Sequence, residues 1–173
     1  MIHNFEKSLL VLGGARSGKS HFAQTQAEAR PGDLIYVATA QAFDAEMEER
    51  IARHRAIRGP RWRTVDAPIA LAAAIAEYSR PDTVILVDCL TLWASNLLLG
   101  EQDVPSAIAA LTSAIAQEPG RIILVTNEVG LGIVPDNALA RRFRDIAGDI
   151  NQAVAACADS AIFVAAGLPM VLK

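Results

Sequence analysis

Residues 8–24 read SLLVLGGARSGKSHFAQ, a short apolar run broken by two glycines and followed, after Gly18-Lys19-Ser20, by a helix-forming stretch. Gly13, Gly18, Lys19 and Ser20 keep the G-x-x-x-x-G-K-[ST] spacing, with the strand before and the helix after that give this pattern its meaning. Its glycines permit a tight loop whose backbone N–H groups turn inward on phosphate oxygens, and the helix start adds a field that favours an anion. In such a loop the lysine holds the terminal phosphates of a nucleoside triphosphate and the Ser20 hydroxyl binds Mg²⁺.

The same alternation continues along the chain. Apolar runs follow at 34–38 (LIYVA), 83–88 (TVILVD), 121–126 (RIILVT) and 161–166 (AIFVAA). A weaker strand is expected at 62–66 (WRTVD), and the terminal MVLK is expected to add an edge strand. Helical patterns fall between them, at about 19–30, 44–57, 69–79, 91–99, 105–117 and 137–158. Strands apolar throughout are buried on both faces. The fold class expected is therefore α/β, a P-loop NTPase-like, mainly parallel sheet with helices on both faces and an antiparallel C-terminal edge. RPGD, SRPD and QEPG each precede a strand and read as turns that end helices rather than as domain boundaries. Residues 1–173 are thus expected to form a single nucleotide-binding catalytic domain, which would bury roughly 70% of its unfolded surface.

Composition narrows the partners. With 52% hydrophobic and 20% charged residues the chain is neither disordered nor fibrous. A net charge of -3 and a pI near 5.6 give no reason to expect nucleic acid, so an anion site has to be built locally. Cys89 and Cys157 share no metal spacing and read as buried thiols in a reducing compartment. The first residues lack a leader pattern, and no apolar run reaches the roughly 18 residues of a membrane span, so a cytoplasmic location is expected.

A metal-bound triphosphate needs an acid at the end of a neighbouring strand, and Asp88 follows the buried run VILV at that position. The same aspartate could instead cap the helix LTLWASNLL, and the two roles could coexist. A GTPase switch would carry an Asn-Lys-x-Asp base-reading motif after a late strand; here Thr126, Asn127, Glu128, Val129 and Gly130 follow RIILV. In NEVGLGIVPDN the glycines and Pro135 suit a shaped loop at the carboxyl end of a strand, where open α/β sheets bind ligands, or a plain connection. Arg141, Arg142 and Arg144 could bind a phosphate or pair with Asp145 and Asp149.

One basic segment stands out in this acidic chain. EERIARHRAIRGPRWR, residues 48–63, carries Arg50, Arg53, Arg55, Arg58, Arg61 and Arg63 around His54. On a helix starting near Asp44, Met47, Ile51 and His54 share one narrow arc, which turns the imidazole toward the apolar side. Glu46 with Arg50 and Glu49 with Arg53 are i, i+4 pairs of the favourable order, so these two arginines are assigned mainly to a solvated face. By spacing alone His54 is a structural, inward histidine or a catalytic one.

Taken together, GGARSGKS, RIARHRAIRGPRW, VDCLTLWASNLL, TNEVGLGIVPDNALARRFRDIAGDINQ and GLPMVLK resemble the bifunctional adenosylcobinamide kinase/adenosylcobinamide-phosphate guanylyltransferase family of cobalamin biosynthesis, through nearly the whole chain. The resemblance implies two steps. The enzyme would phosphorylate the aminopropanol hydroxyl of adenosylcobinamide with a nucleoside triphosphate, ATP or GTP, and then transfer GMP from GTP to the new phosphate, giving adenosylcobinamide-GDP. It implies that His54 carries GMP as a phosphoramidate, with Lys19 the other catalytic residue. It also implies a nucleotide site of Gly13, Gly14, Ala15, Arg16, Ser17, Gly18, Lys19 and Ser20, with Thr39, Ala40, Arg55, Ala56, Ile57, Arg58, Asp66 and Asp88. Mg²⁺ would sit on Ser20 and Asp88. Position 66 is more often glutamate in the family, and family members are homo-oligomers, trimers in particular. A nucleophilic histidine must be neutral, and burial beside cations disfavours the imidazolium. Two other readings stay open: a P-loop kinase of another small molecule with His54 structural, and a nucleotide-dependent regulatory module.

Overall fold

The computed structural model describes residues 2, 4–41 and 59–173. The helix expected at about 44–57, and with it His54, lies outside them. Seven strands, β1 (Ser8–Gly13), β2 (Asp33–Ala38), β3 (Trp62–Asp66), β4 (Thr83–Asp88), β5 (Arg121–Asn127), β6 (Ser160–Ala165) and β7 (Leu168–Val171), form one sheet in the order β3-β2-β4-β5-β1-β6-β7. Every pairing is parallel except β6 with β7, which is antiparallel. The described helices are α1 (Lys19–Glu28), α2 (Leu71–Tyr78), α3 (Leu90–Leu99), α4 (Val104–Gln117) and α5 (Ala138–Cys157). This is the α/β fold class expected.

Strand periodicity divides the core in two. Leu9 and Val11 of β1, Val84 and Leu86 of β4, and Ile123 and Val125 of β5 face one side, where Ala23 and Ala27 of α1 cover them with Phe5. Leu10, Leu12, Ile85, Val87, Ile122 and Leu124 face the other, beneath Leu71 and Ile75 of α2, Trp93 and Leu97 of α3, Leu111 and Ile115 of α4, and Ile146 and Ile150 of α5. Because both faces are covered, the central strands show no polar alternation. Each fully buried Leu, Ile or Val contributes about 1.5–3 kcal/mol of transfer free energy. Trp93 is buried whole because its indole Nε1–H donates to the Ile69 carbonyl at 2.9 Å.

Helix starts follow local chemistry. Asp103 caps α4 by accepting from Ser106 N at 3.1 Å and Ser106 Oγ at 2.8 Å, with a proline in its first turn. Asn137 caps α5 through Ala140 N at 3.0 Å. The residue that opens α3 is Cys89, without a side-chain cap, so the capping alternative for Asp88 falls away. The antiparallel edge begins at Leu168, two residues before the MVLK expected from the sequence.

Candidate functional site at the carboxyl edge of the sheet

On the carboxyl edge Asp66, Ala38 and Asp88 end level with one another, while Asn127, Gly13 and Val164 end level two residues further on, because Asp88 pairs with Val125. Ala38 pairs with both Asp66 and Asp88, and Gly13 pairs with Asn127 and Val164. Adjacent strands β1 and β5 then diverge. The chain after β1 enters α1 on one face, and the chain after β5 reaches α5 on the other. Such a switch point opens a crevice outside the carboxyl ends of a parallel sheet, where ligands bind.

The phosphate loop forms one wall. Gly13 has no room for a side chain: a Cβ there would meet Ser17 Oγ and Val164 O at 2.5 Å. Gly18 at φ 96° and Arg16 at φ 57° take the left-handed backbone that turns the loop into α1, and no side chain caps that helix. Its first N–H groups are therefore available to an anion. Lys19 is buried and reaches back over the loop, its Nζ donating to Gly14 O at 3.0 Å. Ser17 N closes on the same carbonyl at 3.3 Å. Ala15 and Arg16 are exposed, and Gly14 and Ser20 half-buried. Ser17 Oγ is buried with no partner, a polar atom left over at the centre of the loop.

The floor comes from elements distant in sequence. Asn127 N donates to Thr91 Oγ1 at 2.6 Å, while the Asn127 carbonyl accepts from Asn151 Nδ2 at 3.3 Å. Thr126 Oγ1 donates to Asn151 Oδ1 at 2.7 Å. The network ties α3 and α5 to the end of β5 and leaves Asn127 Oδ1 buried without a partner beside Gly13. Glu128 N donates to Gly13 O at 3.1 Å, and Gly167 N, in the β6–β7 turn, donates to Ser17 O at 2.8 Å. The loop is thus clamped from both neighbouring strands.

Asp88 stands one strand further from Gly13 than a neighbouring-strand acid would, because β5 lies between β4 and β1. Its Oδ2 accepts from Tyr36 Oη at 3.0 Å. Thr39 is fully buried, and its polar atoms face the protein: Oγ1 donates to Cys89 O at 2.7 Å and accepts from Cys89 N at 2.9 Å, while its carbonyl accepts from Asn96 Nδ2 at 2.7 Å. Ala40 follows half-buried, and Asp66 is exposed at the end of β3. Burial pushes the Cys89 thiol up, with the Asp88 charge adding to it, so the thiol stays protonated near neutral pH. Arg55, Ala56, Ile57 and Arg58 lie with His54 outside the described residues.

Residues 9–172 match the sequence model of a family described as CobU: Cobinamide kinase / cobinamide phosphate guanyltransferase. The chain belongs to this family. Among its relatives is a Pseudomonas aeruginosa protein named bifunctional adenosylcobalamin biosynthesis protein CobP, 49% identical over 166 residues, which cover 95% of this chain and 96% of that one. A Salmonella typhimurium protein named bifunctional adenosylcobalamin biosynthesis protein CobU is 41% identical over 180 residues, covering 95% and 99%. A solved structure from Pyrococcus horikoshii OT3 has the same fold, with a TM-score of 0.58 at 7% identity over 99% of this chain and 88% of its own.

Family stretches quoted from the sequence meet at this edge. The VDCLTLW stretch supplies Asp88 and Thr91, TNEVG supplies Thr126 to Gly130, and the NQ of α5 supplies Asn151. Tyr36 and Gly167 were not singled out by sequence reasoning. Gly167 lies inside a quoted family stretch, but nothing local marks Tyr36, whose partner is 52 residues away. Among the phosphate candidates of ARRFRD, Arg141 is occupied otherwise, its Nη1 donating to the carbonyls of Pro135 at 2.9 Å and Asp136 at 2.6 Å.

Proposed function

We propose that the chain phosphorylates the aminopropanol hydroxyl of adenosylcobinamide with ATP or GTP. It then transfers GMP from GTP to adenosylcobinamide phosphate, giving adenosylcobinamide-GDP. The observation that carries this reading is a preformed phosphate loop at a switch-point crevice in a chain that matches the kinase/guanyltransferase family over residues 9–172.

In the kinase step the acceptor oxygen attacks the γ-phosphorus, the bond to the β–γ bridging oxygen breaks, and the nucleoside diphosphate leaves. The loop from Gly13 to Ser20 binds and orients the phosphates, and Lys19 exchanges its contact with Gly14 O for the β- and γ-phosphate oxygens. Ser20 and Asp88 would hold Mg²⁺. A hydroxyl and a carboxylate are the hard oxygen ligands that ion accepts, and it draws its remaining ligands from phosphates and water. Bound there, the ion would supply charge neutralisation at the phosphate oxygens. Thr39 and Ala40 border the nucleotide, with Thr39 acting by holding the turn after Asp88.

In the transfer step a neutral His54 nitrogen attacks the α-phosphorus of GTP, the bond to the β-phosphate breaks, and pyrophosphate leaves. A phosphate oxygen of adenosylcobinamide phosphate then attacks the same phosphorus, and the P–N bond breaks to restore the imidazole. Arg55 and Arg58 neutralise the departing charge, with Ala56, Ile57 and Asp66 along the nucleotide. These assignments rest on the family resemblance of the HRAIR segment. We infer a homotrimer from the resemblance of the chain as a whole to the family, and a cytoplasmic location from the biosynthetic family it matches.

Incubation with GTP labelled at the α-phosphate gives an acid-labile covalent label on the protein, absent from His54→Ala. Undiminished labelling of that variant rules out His54 as the carrier. Transfer of γ-label to cobinamide without any α-labelled protein would make the chain a kinase with a structural His54.

A further inference from the structure

Asp88 has one carboxylate oxygen committed and one left over. Strand alternation puts its side chain on the α1 face, because Val84 and Leu86, four and two residues earlier, lie in the apolar layer that α1 covers. Tyr36 of β2 faces the same way, since Leu34 belongs to that layer and Tyr36 packs against it. It is level with Leu86, one strand over from Asp88 and two residues below it. From there Tyr36 Oη donates to Asp88 Oδ2 at 3.0 Å, while Oδ1 accepts from no described residue.

The phenol is itself held. Trp62 of β3 meets the Tyr36 ring edge-on, with centroids 6.3 Å apart and planes at 78°. The indole is fixed in turn, its Nε1–H donating to Glu28 Oε1 at 3.0 Å on the last residue of α1. The Asp88 main chain is tied as well: Thr39 N donates to Asp88 O at 3.3 Å, and Thr39 Oγ1 accepts from Cys89 N at 2.9 Å. With its backbone and one oxygen held, the carboxylate offers a ligand Oδ1 alone.

That restriction has a chemical consequence. Mg²⁺ is small, keeps near-ideal octahedral geometry and takes one oxygen from a carboxylate, whereas the larger Ca²⁺ readily takes both. We infer that Tyr36 is a positioning residue that limits Asp88 to one-oxygen coordination and so biases the nucleotide site toward Mg²⁺ over Ca²⁺. The inference rests on the reading that Ser20 and Asp88 hold the ion. Hydrogen bonds to a ligating carboxylate act on affinity through its orientation, and Tyr36 acts in this way, through Asp88.

The test is the dissociation constant of a non-hydrolysable GTP analogue, measured with Mg²⁺, with Ca²⁺ and with a chelator. The gain that each metal gives over the chelator reads the metal site without turnover. Tyr36→Phe keeps the ring against Trp62 and removes the hydroxyl. It is expected to lose about ten-fold of the Mg²⁺ gain, the low end for removing such a partner, while the Ca²⁺ gain holds or rises because Oδ2 is released. Asp88→Asn loses the gain with both metals, and adding Tyr36→Phe to it changes nothing further, as expected of a residue that acts only through Asp88. Affinity under the chelator stays at the wild-type level in all three. An unchanged ratio of Mg²⁺ to Ca²⁺ gain in Tyr36→Phe, beside an Asp88→Asn that loses both, overturns the inference and leaves the Mg²⁺ reading standing. An Asp88→Asn protein that keeps both gains, or a wild type that shows none, overturns the Mg²⁺ reading and the inference with it. Trp62→Phe separates the bond from the packing: it removes the indole bond to Glu28 and leaves the phenol on Asp88, so its ratio should match the wild type. A fall equal to that of Tyr36→Phe would assign the effect to loosened packing and overturn the inference.

Discussion

At Gly13 the missing methyl group matters twice. A Cβ there would lie 2.5 Å from Ser17 Oγ and from the backbone carbonyl of Val164; the hydroxyl can rotate away, whereas the carbonyl belongs to the β1–β6 pairing. Gly13→Ala is therefore expected to destabilise the protein by about 1–3 kcal/mol in urea unfolding, the usual cost of overpacking, and to weaken GTP binding. Gly14→Ala is the control: nothing lies within 4 Å of its Cβ, so it should unfold near the wild-type midpoint. An alanine at 13 that matches the control would mean that β6 yields and that the loop is not built against it. This pair shows what a motif can and cannot say. The spacing placed Gly13 and Gly18 because the phosphate loop is local. It did not reveal that Thr39 spends its hydroxyl on Cys89, because that contact spans 50 residues.

Asp159 joins two elements that the sequence keeps far apart. Its Oδ2 accepts from Lys7 N at 3.0 Å, Ser8 N at 2.8 Å and Ser8 Oγ at 3.0 Å, tying the start of β1 to the start of β6. Burial alone would raise this carboxyl, but the Ser8 and Lys7 N–H groups and the Ser8 hydroxyl outweigh it and hold it below the usual carboxylate range. A depressed folded value means that the contribution is present in full above the unfolded pKa of about 3.9 and is lost as pH falls through the folded one. Asp159→Asn should cost about 1 kcal/mol at pH 7, at the low end for bonds to a charged group because solvent screens an exposed carboxylate. The gap to wild type should narrow as pH drops below about 4. Asp103, held low by the Ser106 N–H and hydroxyl, titrates the same way in both proteins and cancels from the comparison. A gap that stays constant from pH 7 to pH 3 would mean the carboxylate charge is not what Ser8 and Lys7 bind. Elements of this kind were legible where periodicity carried them, as in TVILVD, which is β4 residue for residue. The edge was shifted because Ala166 and Gly167, at φ 50° and 80°, reverse the chain before Leu168, and Ala-Gly is not a common hairpin signal. Strand order was not legible at all. That β5 separates β4 from β1 is decided by which helices cover which face, and this moved Asp88 one strand outward.

Across the whole molecule, the two apolar layers cannot separate without tearing the same strands. Leu9 and Val11 belong to the α1 side while Leu10 and Leu12 belong to the side of the other four described helices, so each strand of the centre is shared by both cores. We propose on this ground that residues 1–173 unfold as one domain, with calorimetric and van't Hoff enthalpies equal. The nucleotide site sharpens the test, because its loop is clamped by β5 through Glu128 and by the β6–β7 turn through Gly167. A ligand bound there stabilises every element that the clamp reaches. GTP at about one hundred times its Kd should add about 2.7 kcal/mol to the native state. For a chain of this length that raises the single transition by about 5–10 °C. Magnesium should enlarge the shift, and removing it with a chelator should reverse the added part if Ser20 and Asp88 hold the ion. Two transitions in the calorimeter, with GTP moving only one, would mean that the cores on the two faces of the sheet unfold independently, and the one-domain reading would be wrong.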